Sequence, residues 1–179
     1  MNICSMVLVP ESRNDLSVTI TVLFVMNKNL DLIFSDNSNS MIVIMSNVVE
    51  ILLSHRQLTS DSFEAAGVLI GERRGMHLVI NDLSEPGAGD IRHRYNVDRR
   101  GQHHQAKVIS TFSQSDGRKQ YLGEWHTHPE DYPAPSSTDK SSWARNLKYN
   151  KPMIVIIVGR NDIWVGKIVE NSLVKLTEM

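Results

Sequence analysis

The sequence predicts an α+β domain: a mixed or antiparallel sheet carrying a few helices. Three observations predict it. Short apolar or alternating runs recur along the chain, each bounded by turn-forming residues. Fewer segments show the spacing of an amphipathic helix. The chain has 179 residues, 41% hydrophobic and 22% charged, which is the size and composition of one soluble globular domain with a real core.

The elements follow in order. Residues 1–25 stand apart as an N-terminal extension or extra strand, and residues 26–179 form the domain. The apolar run Leu16 to Met26 contains Thr19 and Thr21 and is too short to span a bilayer. Glu11 and Asp15 before it, and Asn27-Lys28-Asn29 after it, do not fit a signal peptide. Its β-branched content suits a strand.

Leu30, Leu32 and Phe34, then Met41 to Met45, read as two strands joined by the turn-rich stretch Asp36 to Ser40. Ser46 is a good N-cap, and Val48, Val49, Leu52, Leu53 and Leu58 follow with helical spacing to about Thr59-Ser60-Asp61. Glu64 to Gly71 reads as a strand with small residues at its start. Met76 to Leu83 is its antiparallel partner across Arg73-Arg74-Gly75. Glu85 to Asp90 is a loop, and Ile91 to Asp98 a further strand.

Gly101 to Gln114 reads as a helix with Ala106, Ile109 and Phe112 on one side. Gln120 to Thr127 is a strand, and Pro129 to Pro135 a loop with three prolines. Ser136 or Ser137 caps a helix running to about Tyr149. Met153 to Val158 is a near-continuous apolar run, the mark of a strand buried on both faces. Ile163 to Val169 and Leu173 to Leu176 are late strands.

Charge and cysteine content narrow the function. The formal net charge is −1, so no global basic field gathers nucleic acid or anionic membrane, although Arg92, His93, Arg94, Arg99 and Arg100 could form a local patch. Cys4 is the single cysteine, so no intramolecular disulfide forms, and a cytoplasmic location is expected.

The chemistry concentrates in Gly123-Glu124-Trp125-His126-Thr127-His128-Pro129 and Pro135-Ser136-Ser137-Thr138-Asp139. Side chains alternate faces along a strand, so His126 and His128 point the same way. Two imidazoles at that spacing can share one small cation, and zinc accepts His nitrogen at ~2.0–2.1 Å and carboxylate oxygen at ~2.0–2.2 Å. Asp139 opens the next helix, and the proline-rich loop can fold it back over the strand end. Two His and one Asp leave a position for water, the property that separates a catalytic zinc from a structural one. A carboxylate near the metal but not bound to it must then move the proton, and Glu64 fits. Ser136 could hydrogen-bond a developing oxyanion.

Each residue also has an ordinary reading. A His on a strand is usually structural, Ser136-x-x-Asp139 is close to a capping box, and Glu64 alone is a surface carboxylate. Their joint occurrence in this order favours the metal site. Glu124 shares the face of His126 and His128 and is the alternative base or ligand. His103 and His104 lie about 100° apart on a helix, which disfavours a shared metal. His55, His77 and His93 read as surface residues, and Trp125 and Trp143 as packing.

From about Leu30 to the C-terminus, these motifs resemble the JAMM (MPN+, JAB-type) metalloproteases. That family carries a distant Glu, then His-x-His-Pro, then Ser-x-x-Asp with ten residues between the second His and the Asp, here Glu64, His126, His128, Pro129, Ser136 and Asp139. The strand Glu64-Ala65-Ala66-Gly67-Val68-Leu69-Ile70-Gly71 is similar to the one carrying the family's catalytic Glu, with Ala66-Gly67 where Gly-Gly is usual. The resemblance implies a JAMM/MPN-like (cytidine-deaminase-like) fold, a mixed curved sheet flanked by helices. It implies one Zn2+ held by His126, His128 and Asp139, with Glu64 as acid/base and Ser136 stabilising the tetrahedral intermediate.

Pro86-Gly87-Ala88-Gly89-Asp90-Ile91-Arg92 and the His126 block are similar to the small stand-alone bacterial members, some encoded in CBASS anti-phage operons. Those act as deconjugases, removing a CD-NTase from targets to which an E1/E2-like partner has attached it. The expected partner is thus the CD-NTase C-terminal tail and its conjugates, with the E1/E2-like protein functionally opposed and neither nucleic acid nor membrane involved. An extended tail could lie along a strand edge, with strand 76–83 and loop 84–92 as clamps. The alternatives are a JAMM protease for another ubiquitin-like or sulfur-carrier protein, or a metal-free binding module.

Overall fold

Turn chemistry builds the first hairpin where the sequence predicts it. The structure, a computed structural model, describes residues 30–36, 38–147 and 150–179. The extension at residues 1–25, with Cys4 and most of the run to Met26, lies outside the described residues. β1 (Leu32–Ser35) pairs antiparallel with β2 (Met41–Ile44). Between them the Asp36 carboxylate accepts the N–H groups of Ser38 and Ser40, closing the turn locally. Leu30 precedes the strand and is exposed.

The first helix is shorter than its sequence pattern suggests. α1 (Ser46–Ser54) has Met45 as N-cap without a side-chain cap, and Ser46 instead donates its N–H to Asp31. It stops at Ser54 because residues 55–63 turn to carry the buried Gln57 amide, which binds carbonyls that a helix could not reach. β3 (Ala66–Arg74) and β4 (His77–Leu83) form the expected antiparallel pair. β3 starts two residues later than predicted, which leaves Glu64 just ahead of the strand. The segment Ile91 to Asp98 is a small hairpin, β5 (Ile91–Arg92) with β6 (Val97–Asp98), and forms its own two-stranded sheet.

α2 (Gln102–Gln114) buries His104 and Thr111. The side predicted as apolar turns outward: Ile109 is 58% and Phe112 48% exposed. Polar anchoring outweighs apolar spacing here. His104 bonds Ser84 and Asp90 and so fixes which face of α2 meets the sheet.

β7 (Lys119–Thr127) and α3 (Ser137–Asn146) follow, and α3 ends before the predicted Tyr149. The remaining strands are β8 (Met153–Val158), β9 (Ile163–Val169), β10 (Ser172–Lys175) and β11 (Thr177–Glu178). Among the described residues, nine strands form one sheet in the order β10-β9-β8-β7-β3-β4-β2-β1-β11. β7–β8 and β2–β4 run parallel and the other pairs antiparallel, so the sheet is mixed. β10 and β11 sit at opposite edges although only buried Leu176 separates them. The sheet must therefore curl until its edges nearly meet, as a strongly curved, almost barrel-like surface.

β8 is buried throughout because both its faces are covered. Ile154, Ile156 and Val158 join the core under α1 with Leu52, Leu69 and Trp125. Met153, Val155 and Ile157 face the other way, against Trp143 of α3, Leu147 at its C-cap and Trp164 of β9. On β7 a bulge at Leu122 shifts the register, with Leu69 opposite Gly123 and Ile70 opposite Tyr121. Gly123 takes φ 152 and packs against the Ile154 carbonyl, where a side chain would clash. The bulge turns Trp125 and Thr127 inward and presents Glu124, His126 and His128 to the opposite face.

Candidate active site

The presented face of β7 floors a cleft of ≈ 910 Å³, walled by the β5–β6 hairpin on one side and α3 on the other. Glu64, His126, His128, Ser136 and Asp139 all line it. The site residues expected from the sequence therefore meet in one place, with elements far apart in the chain supplying them.

The donor atoms are closely grouped. The Nε2 atoms of His126 and His128 are 3.1 Å apart. Asp139 Oδ1 is 3.4 Å from His126 Nε2, and Oδ2 is 3.5 Å from His128 Nε2. Ligands at ~2.0–2.2 Å around one tetrahedral ion would be about 3.3–3.6 Å apart. Two imidazole nitrogens with one Asp139 oxygen beside each come within a few tenths of an ångström of those separations, so these residues fit a small divalent cation. Glu64 offers an oxygen within 4.8 Å of both histidines, near enough to reach a water beside them. Glu64, His126 and His128 are thus close enough to hold an ion among them, and it is the family resemblance that gives Glu64 the role of base.

Local structure explains each position. Ser136 is the N-cap of α3, accepting the Asp139 N–H at 3.1 Å while the Asp139 carboxylate accepts the Ser136 N–H at 2.7 Å. This is a complete capping box. Ser136 Oγ–H also donates to Asp139 Oδ2 at 2.6 Å, so the cap orients the carboxylate toward the histidines. The capping and ligand readings of Asp139 are thus compatible. Gly67 pairs with Trp125 and lies under the Ser84 carbonyl, to which Trp125 Nε1 donates at 3.0 Å; a Cβ at Gly67 would strike both groups.

Electrostatics follow from burial. Desolvation pushes the Glu64 carboxyl up to about 7, with His128 opposing the rise and Asp139 adding to it. Burial also pushes Asp139 up, but hydrogen bonds from His126, His128 and Ser136 outweigh it and hold that carboxyl well below the usual range. His128 is lowered by burial and raised more strongly by Asp139, ending above its ordinary value.

Glu124, the alternative base, is committed elsewhere. It pairs with Arg99 and accepts from the Tyr121 hydroxyl at 3.2 Å. The basic patch is largely committed too. Arg92 donates to the Glu64 and Phe63 carbonyls, Arg94 to those of Thr59 and Ser60, and Arg100 pairs with Asp98. His103 and His104 approach Asp90 to form a second possible cation cluster. There, however, His104 Nδ1 meets Ser84 Oγ at 2.6 Å and Nε2 meets Asp90 at 3.0 Å, while Asp90 accepts the Gly87 and Gly101 N–H groups. Neutral His104 satisfies that chain without an ion. His55 pairs with Glu85, and its ring lies 5.4 Å from that of Trp125.

Sequence reasoning missed Arg99 as the partner of Glu124, and Gln57 altogether. Gln57 is 1% exposed in a stretch whose local pattern reads as the end of a helix. Its bonds reach residues 62, 94 and 127, so no short spacing reveals it.

Comparison with known proteins gives the family of the chain. The family model described as prokaryotic homologs of the JAB domain matches residues 46–167. A Vibrio cholerae serotype O1 protein named CD-NTase/cGAS isopeptidase is 57% identical over 142 residues, 79% of this chain and 91% of that protein. Proteins of the same name from Escherichia coli strain TW11681 and Pseudomonas aeruginosa strain BWHPSA011 are 53% and 34% identical, over 84% and 73% of this chain and 96% and 85% of theirs. In fold, the solution structure of a Desulfitobacterium hafniense protein is similar, with a TM-score of 0.51 at 20% identity over 75% of this chain and 89% of that one.

Proposed function

Because the chain belongs to the family of prokaryotic JAB-domain homologs, we propose that it is a zinc-dependent isopeptidase that releases a CD-NTase from conjugates formed through its C-terminal tail. The observation that carries this reading is the grouping of the His126, His128, Asp139 and Glu64 side chains at the floor of an open cleft. The name shared by the relatives supplies the substrate class. The biological setting is bacterial anti-phage (CBASS) defence in the cytoplasm, opposed to an E1/E2-like conjugating partner. Among the described residues, no helix is long and apolar enough to cross a membrane.

His126, His128 and Asp139 would hold the zinc. When bound, zinc supplies Lewis acidity that lowers the pKa of a water and polarises a carbonyl. Glu64 takes a proton from the attacking water as its oxygen adds to the tail carbonyl carbon. The same carboxyl then returns that proton to the leaving amine as the C–N bond breaks, so one group acts as base and then acid. Burial favours the return of the proton, because it raises the Glu64 carboxyl where a bound cation would lower it. Ser136, at the cleft rim, donates its hydroxyl to the developing oxyanion once substrate draws it from Asp139.

The test is cleavage of a reporter fused through its amine to the C-terminal tail of a CD-NTase from the same operon. Wild type cleaves it, whereas Glu64→Ala and chelator-treated wild type do not. Zinc-loaded wild type that leaves this fusion intact while processing another ubiquitin-like fusion would overturn the substrate assignment. Cleavage surviving the chelator would overturn the metal chemistry.

A further inference from the structure

Glu64 is not held by the sheet itself. The β3–β7 ladder ends at Ala66 opposite His126, and Glu64 lies beyond it. The continuation rests on a buried side-chain chain. Ala65 N–H donates to Thr127 Oγ1 at 2.9 Å, and Thr127 N–H donates to the Ala65 carbonyl at 2.9 Å. Thr127 lies between the two histidines in sequence and points to the opposite face, where it is 0% exposed.

The direction of this chain is fixed. Gln57 Nε2 faces two acceptors, the Arg94 carbonyl at 2.7 Å and the Ser62 carbonyl at 3.1 Å. Only the NH2 end of an amide can donate to both, so Oε1 must face Thr127. The Thr127 hydroxyl therefore donates to Gln57 Oε1 at 3.0 Å and keeps a lone pair for the Ala65 N–H. The Gln57 bond to the Arg94 carbonyl also holds the β5–β6 hairpin, whose His93 carbonyl accepts the Glu64 N–H at 2.8 Å. Glu64 is thus set from both sides by groups that meet at one amide.

We propose that Gln57 and Thr127 are positioning residues that set the Glu64 carboxyl against the metal-binding histidines. The proposal rests on the isopeptidase reading for its kinetic test, but its structural test stands without it. Neither residue touches the reacting atoms. Their effect passes through the Ala65 amide to Glu64, so it is confined to turnover and needs Glu64 to be expressed.

The experiment compares wild type, Thr127→Val, Thr127→Ser and Gln57→Met, with zinc loaded and the CD-NTase tail fusion as probe. Valine keeps the shape of threonine and removes the hydroxyl. Thr127→Val and Gln57→Met should lower kcat by about 10- to 100-fold, the scale of a misplaced catalytic group, with KM and the single bound zinc unchanged. Thr127→Ser should restore most of the loss. Added to Glu64→Gln, Thr127→Val should cost nothing further. Independently of activity, hydrogen exchange at the Ala65 amide should be markedly faster in Thr127→Val. Full kcat in Thr127→Val, an equal loss in the Glu64→Gln background, or loss of zinc overturns the proposal. Should Thr127→Val not fold, Gln57→Met carries the same kinetic readouts. Inactive wild type overturns the isopeptidase reading alone, and the Ala65 exchange still decides the positioning.

Discussion

Glu64 shows how far a residue's surroundings set its chemistry. The same carboxyl on a surface would be ionised at any pH of interest, but here burial raises it from 4.5 to about 7 in the absence of a cation. That shift has a thermodynamic consequence. A carboxyl with a folded-state pKa above its unfolded value binds its proton more tightly when folded. Its contribution to stability is complete below the unfolded value of 4.5 and is lost as pH rises through the folded value near 7. Metal-free wild type should therefore lose about 3 kcal/mol relative to metal-free Glu64→Gln between pH 4.5 and 7, the shift multiplied by about 1.4 kcal/mol per pH unit. Denaturant unfolding of both proteins in chelator across that range measures it, and a pH-independent difference would refute it. Adding zinc should reduce the slope, because a nearby positive charge favours the carboxylate.

At the scale of elements, α3 joins two functions in one turn. Its capping box satisfies helix N-terminal donors and also aims the Asp139 carboxylate at the histidines. Ser136→Ala should therefore do two things. It should cost about 1 kcal/mol of stability, the usual worth of a cap. It should also weaken zinc binding about 10- to 100-fold, as loss of an outer hydrogen bond to a ligand does. Competition with a chromogenic chelator reads the second effect, and an unchanged affinity would separate the cap from the site. The capping box was legible because its partners are three residues apart, and the histidine pair because strand alternation acts over two. The strands were legible for the same reason, as with the continuous run of β8. What escaped was set by contacts between elements. α2 turns Ile109 and Phe112 outward because the His104 bonds to Ser84 and Asp90 decide its orientation, and no periodicity encodes those bonds. The β5–β6 hairpin escaped because its pairing spans only two residues on each side and its anchors are backbone carbonyls.

At the scale of the whole molecule, a sheet curled until β10 and β11 nearly meet needs something to hold the closure. Lys167 on β9 reaches across to the β1–β2 turn, donating to Asp36 at 2.6 Å and Ser40 Oγ at 3.1 Å, and is 6% exposed. These partners are 131 and 127 residues away in sequence, so the bond ties opposite sides of the curved sheet. Burial pushes the Asp36 carboxyl up, but the bonds from Lys167, Ser38 and Ser40 outweigh it and hold it well below the ordinary value of 3.8. Removing the ammonium leaves a partly buried carboxylate without its countercharge, so Lys167→Met should destabilise the fold by about 1–3 kcal/mol. Lys167→Met with Asp36→Asn should recover part of that loss, because the stranded charge is gone. The pH dependence gives the sign. A carboxyl with a lowered folded-state pKa contributes stability that is present above 3.8 and lost as pH falls below it. The unfolded states titrate alike, so the stability gap between wild type and Lys167→Met should be constant near neutral pH and narrow in acid, as Asp36 of the folded variant takes up its proton. Chemical denaturation at several pH values tests this directly. A gap that persists unchanged into acid would mean that Lys167 stabilises the closure through its aliphatic stem and not through its charge.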